Sequence, residues 1–303
     1  MKKLLLVGGS GFVGSHMRVA LEATCSVVAT GREVDVRNPE QLRALIARVQ
    51  PDQVVHLAAI TTLRESFDSP RDSYDINFLG TLNLLMALRE CHFAGRMLFI
   101  SSSEVYGLLT EHDLPVSESR LPKPLSPYAV AKIAAEALCY QWSQTEKFEI
   151  VTARPFNHIG PGQTERFAIA DFGRQVAAIK LGLSKPVIHV GDIDTTRDFT
   201  DVRDVVSAYR LLLEQGRSGE IYNVCSGTER SIRSLVERMC MLTGVSVELR
   251  ADPARLRPSE QRRVRGSNAK LVTDTGWVPN CSLDRTLSDI VTSWAQKLNG
   301  QAT

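Results

Sequence analysis

This 303-residue chain is nearly neutral and carries no strong charge excess of either sign. Its net charge is only +2, with 36 basic and 34 acidic residues, so neither a nucleic-acid surface nor a membrane surface is written into its charge. The nearest thing to a basic cluster, Arg262-Arg263-Val264-Arg265, is short enough for a solvated face or a small anionic ligand. There is no long hydrophobic run. The apolar stretch near the N-terminus is only Leu4 to Val7 before glycines intervene, too short for a signal-peptide core or a membrane span. Cys25, Cys91, Cys139, Cys225, Cys240 and Cys281 form no C-x-x-C pair, and several sit in apolar runs. That usage excludes a disulfide framework or a cysteine metal site and fits a cytoplasmic protein. No metal ligand set, internal repeat or low-complexity tract stands out.

What is present is organised around Leu4-Leu5-Leu6-Val7-Gly8-Gly9-Ser10-Gly11-Phe12-Val13-Gly14. An apolar strand runs into glycines three apart and then into a helical segment. Gly8 permits a tight turn, Gly11 lets backbone approach a phosphate, and Gly14 lets the helix pack close. The helix N-terminus, with Ser10, Phe12 and Val13 around it, offers amides to a pyrophosphate. The turn therefore predicts a dinucleotide site. The second strand, Val27–Thr30, ends in Gly31-Arg32 rather than in a carboxylate. Arg32 suits a 2′-phosphate, which favours NADP(H) and leaves NAD(H) possible, Glu33 being adjacent.

Strand and helix then alternate about six times. A helix is expected over Pro39–Val49, a strand over Asp52–Ala59, a long helix from about Asp72 to Cys91, a strand over Arg96–Ile100 and another over 148–157. The fold class is α/β: a Rossmann-type doubly wound parallel sheet with a smaller C-terminal α+β lobe. Residues 1–157, with about 199–225, form the dinucleotide-binding unit; 158–198 and 226–303 form the second lobe. His56 reads as a packed strand residue, and Asn77, mid-helix, as a solvated one.

The chemistry lies where a strand ends in Ser101-Ser102-Ser103-Glu104 and a helix begins at Ser126-Pro127, with Ser126 its cap. Tyr128 and Lys132 are four apart, one turn along one face. A phenol can protonate a carbonyl oxygen, but its usual pKa is about 10. A neighbouring cation and a positive nicotinamide are expected to lower it. Tyr128 thus moves the proton, Lys132 tunes it and grips a ribose, and Ser102 positions the oxygen.

On Gly8–Gly14, Leu57-Ala58-Ala59, Asn77, Ser102, Tyr128, Lys132 and Arg154-Pro155-Phe156-Asn157, the chain resembles the extended short-chain dehydrogenase/reductase family of nucleotide-sugar enzymes. The resemblance spans essentially the whole sequence. Within that family the runs Phe156–Gln163, Val190–Phe199, Tyr222–Gly227 and Leu256–Glu260 look most like those of GDP-6-deoxy-D-mannose reductases, which are similar to GDP-mannose 4,6-dehydratases.

The resemblance implies that Asp35 and Val36 lie along the adenine, that Leu57, Ala58, Ala59 and Asn77 line the cofactor, and that Phe156 packs near the nicotinamide. It implies that Ser103, Asn157, Arg197, Arg257 and Glu260 hold a GDP-linked 6-deoxy-4-keto sugar, the arginines on diphosphate and Glu260 on ribose. The implied reaction is reduction of GDP-4-dehydro-6-deoxy-D-mannose to GDP-D-rhamnose for surface polysaccharide such as lipopolysaccharide, by a homodimer paired through the helices near Asp72–Cys91 and Ser126–Gln144.

Glu104 stands where the related dehydratases carry the acidic residue that removes a sugar proton, so a dehydratase or epimerase holding NADP tightly is the alternative. A non-catalytic dinucleotide-binding regulator is disfavoured because Tyr128 and Lys132 are both present.

Overall fold

The computed structural model describes residues 1–255 and 261–301. Its strands are β1 (Lys2–Val7), β2 (Cys25–Ala29), β3 (Gln53–His56), β4 (Arg96–Ile100), β5 (Glu149–Pro155), β6 (Asn157–Ile159), β7 (Val187–Val190), β8 (Thr196–Asp201), β9 (Ile221–Val224), β10 (Glu229–Ser231) and β11 (Glu248–Ala251). The α-helices are α1 (Phe12–Leu21), α2 (Pro39–Val49), α3 (Leu63–Asp68), α4 (Pro70–Tyr74), α5 (Gly80–Glu90), α6 (Pro127–Thr145), α7 (Ala168–Lys180), α8 (Val202–Gln215), α9 (Ile232–Thr243), α10 (Ala269–Thr275) and α11 (Leu283–Gln301).

Leu4 to Val7 are buried on both faces because β1 is central and helices cover both sides. The main sheet has the order β2-β1-β3-β4-β5-β9, and all its pairings are parallel. Leu42, Leu84, Leu85 and Trp142 pack on one face, and Met17, Val205, Leu212 and Trp277 on the other. The doubly wound sheet expected from the alternating pattern is therefore the fold. Strand order reverses between β1 and β3, so a crevice opens at their carboxyl ends, where such sheets bind ligands.

A separate core of Phe172, Val176, Leu235, Ile290 and Trp294 joins α7, α9 and α11, beside the two-stranded sheet β11-β7. A third, three-stranded sheet has the order β10-β8-β6. Among the described residues no helix is long and apolar enough to cross a membrane.

Two elements differ from the expectation. The long helix at 72–91 is broken into α4, a π-helical turn Asp75–Leu79, and α5. Such a turn inserts an extra residue and re-aims side chains, here Asn77. The strand read over 148–157 ends at Pro155, and Asn157 instead begins β6, which pairs with β8 in the small sheet. The chain changes sheets there, and Asn157 leaves the central layer.

Candidate active site

The glycine turn is built by close contacts. Gly8 has φ +83°, and a Cβ there would fall 2.5 Å from the Ala58 nitrogen. Only glycine fits that sign of φ and that separation. Gly14 packs against Gly9, whose carbonyl oxygen would lie 2.4 Å from an added Cβ. Gly9 itself is squeezed between Leu6 and Ala29, a role that the three-residue glycine spacing does not reveal. Gly11 differs: a Cβ there would meet only the Gly8 carbonyl, at 3.5 Å. Its outer side is open, and as the N-cap of α1 it provides no side-chain cap for the first-turn amides. Open backbone beside uncapped amides fits a dinucleotide pyrophosphate. Ser10 is exposed at the rim, and Val13 packs inward on the core. Phe12 reaches across to β6, where it stacks on His158 with centroids 6.0 Å apart.

At the end of β2, Arg32 is exposed and forms no ion pair with a described residue. Val36 is buried and packs against Gly80, while the Asp35 carboxylate is held by Arg37 at 2.7 Å. Leu57, Ala58 and Ala59 are half-buried at the end of β3, and the Leu57 and Ala58 amides both donate to the Val7 carbonyl. Asn77 is not solvated. It is 1% exposed, accepting from the Ile60 amide at 2.9 Å and donating to the Ile60 carbonyl at 3.1 Å. The π-helical turn aims its amide at the loop after β3, which it grips as a neighbouring strand would. His56 is a packed residue, bonded through Nε2 to Thr81 at 3.0 Å. Burial first, and then Lys132, push its pKa down to about 3.

Ser102 is almost buried at the exit of β4. Its Oγ accepts the Glu104 amide at 3.2 Å, which leaves its own proton free to donate. Ser126 caps α6 by accepting the Ala129 amide at 3.1 Å, with Pro127 at the first turn. Tyr128 and Lys132 follow on the buried face, the Lys132 ammonium 5.9 Å from the Tyr128 ring centre and donating to the Ile100 carbonyl at 2.7 Å.

The protonation pattern differs from the one expected. Burial pushes the Tyr128 phenol up to about 12, the Ser102 hydroxyl opposing and the Glu104 carboxylate reinforcing the rise. Lys132, in turn, is pulled down to about 8 by its own burial. Desolvation outweighs the opposing Ser102 hydroxyl, so the protein residues alone hold Tyr128 as a protonated acid.

Glu104, in the turn after β4, and Arg197, on β8, are near enough for their charges to interact. Water reaches the Glu104 carboxylate, yet protein surrounds most of it. Its pKa is raised by desolvation, with Arg197 opposing. The half-buried Arg197 guanidinium donates to the Thr196 and Gln261 carbonyls at 2.8 and 3.1 Å. No carboxylate lies within ion-pair distance of it among the described residues. Asn157 is exposed and Ser103 half-buried on the same side. Phe156 lies underneath, 2% exposed against Tyr106, Val116 and Cys225. Arg257 and Glu260 lie outside the described residues.

Sequence reasoning missed Glu136. It is buried on the same stripe of α6 and holds Arg154 of β5 at 2.6 Å. Its spacing of four beyond Lys132 was the available signal.

A family of sequences described as GDP-mannose 4,6 dehydratase matches residues 25–290. The chain is 46% identical to a Pseudomonas aeruginosa GDP-6-deoxy-D-mannose reductase, over 98% of each. It is 27% identical to a GDP-mannose 4,6-dehydratase of Vibrio cholerae serotype O1, over 88% of this chain and 79% of that one. Its fold matches the solved structure of RMD from Pseudomonas aeruginosa complexed with NADPH, with a TM-score of 0.93 and 45% identity over 98% of this chain and 100% of the other.

Proposed function

We infer the function from one premise: the chain belongs to the GDP-mannose 4,6-dehydratase family, in the nucleotide-sugar branch of the extended short-chain dehydrogenase/reductases. It is an oxidoreductase that uses NADPH to reduce the C4 ketone of GDP-4-dehydro-6-deoxy-D-mannose, giving GDP-6-deoxy-D-mannose (GDP-D-rhamnose). The observation that carries this reading is full-length similarity to a reductase at 46% identity, against 27% for a dehydratase.

The Gly8–Gly14 turn would hold NADPH, which when bound would supply the hydride for C4. The chain's own residues supply the rest. Tyr128 gives its phenolic proton to the C4 oxygen as the C=O double bond opens. With a pKa near 12 it retains that proton until negative charge develops beside it. The Ser102 hydroxyl donates to the same oxygen and orients it. Lys132, anchored to the Ile100 carbonyl, places a positive charge beside the phenolate that remains. Arg197, without a carboxylate partner among the described residues, is suited to the substrate diphosphate, and Ser103 and Asn157 to the sugar. Asn77 holds the loop against which the cofactor rests.

Exposed Tyr74, Leu79, Val130 and Tyr140 on the α4–α5 and α6 surfaces support pairing of two copies. Six free cysteines support a reducing, cytoplasmic setting. The product would then serve as a sugar donor for surface polysaccharide, lipopolysaccharide included.

The test follows NADPH and NADH absorbance with GDP-4-dehydro-6-deoxy-D-mannose, with GDP-mannose in parallel. Stoichiometric oxidation with the keto-sugar, faster with NADPH, and none with GDP-mannose is expected. Conversion of GDP-mannose to a keto-sugar without net oxidation would overturn the reading and make Glu104 a dehydratase base.

A further inference from the structure

Two consecutive residues lead from β4 to Ser102, and both are tied to α6. The Ile100 carbonyl accepts Lys132 Nζ at 2.7 Å. The Ser101 hydroxyl donates to Glu136 Oε1. Tyr128, Lys132 and Glu136 recur at four-residue intervals, so one stripe of α6 faces the end of β4.

Glu136 is itself held rigidly. Arg154, on the neighbouring strand β5, forks onto it with Nε at 2.8 Å and Nη2 at 2.6 Å. Arg154 lies 4.9 Å over the Tyr106 ring, and the Tyr106 hydroxyl donates to Asn223 of β9 at 2.7 Å. Glu136 is 6% exposed and Arg154 3%. An ion pair this deep stabilises little more than well-packed apolar side chains would, because both charges lose their water. Its geometry, however, does something an apolar pair could not: one carboxylate oxygen is shared between Arg154 and the serine next to Ser102.

We propose, on the reductase reading above, that Glu136 is a positioning residue: its carboxylate, locked by Arg154, clamps Ser101 so that Ser102 stays aligned with Tyr128, and its charge keeps the Lys132 ammonium protonated. The groups facing Lys132 support the second half. Burial lowers Lys132 to about 8, with Cys139 and Glu136 pulling the other way. His56, across from it on β3, is held neutral by burial down to about 3. The Cys139 thiol is pushed far up by burial, and Tyr128 stays protonated to about 12. Among these described neighbours Glu136 is the anion. Without its charge, Lys132 loses its proton at a lower pH.

The experiment compares wild type, Ser101→Ala and Glu136→Gln as full-length enzymes. It measures kcat, KM for NADPH and for GDP-4-dehydro-6-deoxy-D-mannose, and the pH profile, with thermal melts and NADPH fluorescence to confirm folding. Ser101→Ala breaks the clamp and leaves the ion pair. Its kcat is expected to fall roughly 10-fold with both KM values within about twofold, since small misplacements in a reacting pair cost rate rather than binding. Glu136→Gln is expected to lose roughly 10²-fold in kcat and to shift the alkaline limb down by about one pH unit.

A purely structural role would lower the amplitude at every pH and leave the limb in place. Wild-type kcat in Ser101→Ala overturns the clamp, and an unmoved limb in folded Glu136→Gln overturns the charge effect. If Glu136→Gln does not fold, Ser101→Ala decides the clamp alone, and a wild-type kcat there overturns the proposal. Wild-type protein that binds NADPH yet oxidises none with the keto-sugar would overturn the reductase reading, and this proposal with it.

Discussion

The Glu33 carboxylate accepts the Gly31 amide at 2.6 Å. That bond turns the acidic side chain back onto its own turn and keeps its pKa below the usual carboxylate range. Arg32, between them in sequence, is exposed and unpaired among the described residues. The end of β2 therefore presents an exposed cation, with the adjacent carboxylate already engaged; a 2′-phosphate bound there would find a charge partner.

From this arrangement, Arg32→Ala raises the KM for NADPH at least about tenfold and leaves that for NADH nearly unchanged, because a charge-assisted bond is lost to one cofactor only. Initial rates with each cofactor decide it. Equal losses for both would mean that Arg32 does not read the phosphate.

Tyr128 carries the proton in this scheme. Replacing it with Phe lowers turnover roughly 10²–10⁴-fold, while the dissociation constants for NADPH and the sugar nucleotide stay close to wild type. Calorimetry and single-turnover absorbance separate the two. A variant with normal turnover would remove Tyr128 from the mechanism.

The pH dependence follows from Lys132 rather than from Tyr128. Burial pulls Lys132 down to about 8, while Tyr128 titrates near 12. The reductive direction requires both groups protonated. Activity is therefore full below the Lys132 value and declines as pH rises through about 8. A kcat profile flat from neutral pH to about 10, the usual range of an unperturbed phenol or ammonium, would contradict the burial of the pair.

Asn77→Ala removes both bonds to the Ile60 backbone and leaves those groups buried and unpaired. Unfolding in urea is expected to show a loss of about 2–4 kcal/mol, and NADPH binding weakens because the loop after β3 is no longer held. A loss below about 0.5 kcal/mol, the range of ordinary surface substitutions, would mean that water replaces the side chain without strain.

Much of this protein was legible along the chain, because the relevant physics is local. Four apolar residues running into the Gly8 turn read as a strand covered on both faces, and α6 was announced by Ser126 and Pro127. The helix Pro39–Val49 was read to the residue, with Asn38 accepting the Gln41 amide as its cap. Tyr128 and Lys132 share a face through helical spacing alone.

Other features depended on what packs against what. Nothing in the local sequence turns Asn77 inward; the π-helical turn and the Ile60 loop do. Glu136 meets Arg154 because α6 crosses β5, and Arg197 acts on Glu104 through space because β8 brings its charge near the turn after β4. Phe156 is buried because Tyr106 and Val116 come over it from distant segments. The sign of the Tyr128 shift was also set by packing. Spacing supplies a neighbouring charge, but the cost of removing water from the phenolate depends on every segment folded around it. Local sequence is enough for the strand–turn–helix cradle and for the order of chemical groups along α6. Packing between distant segments sets which of those groups are buried, and hence which hold their protons.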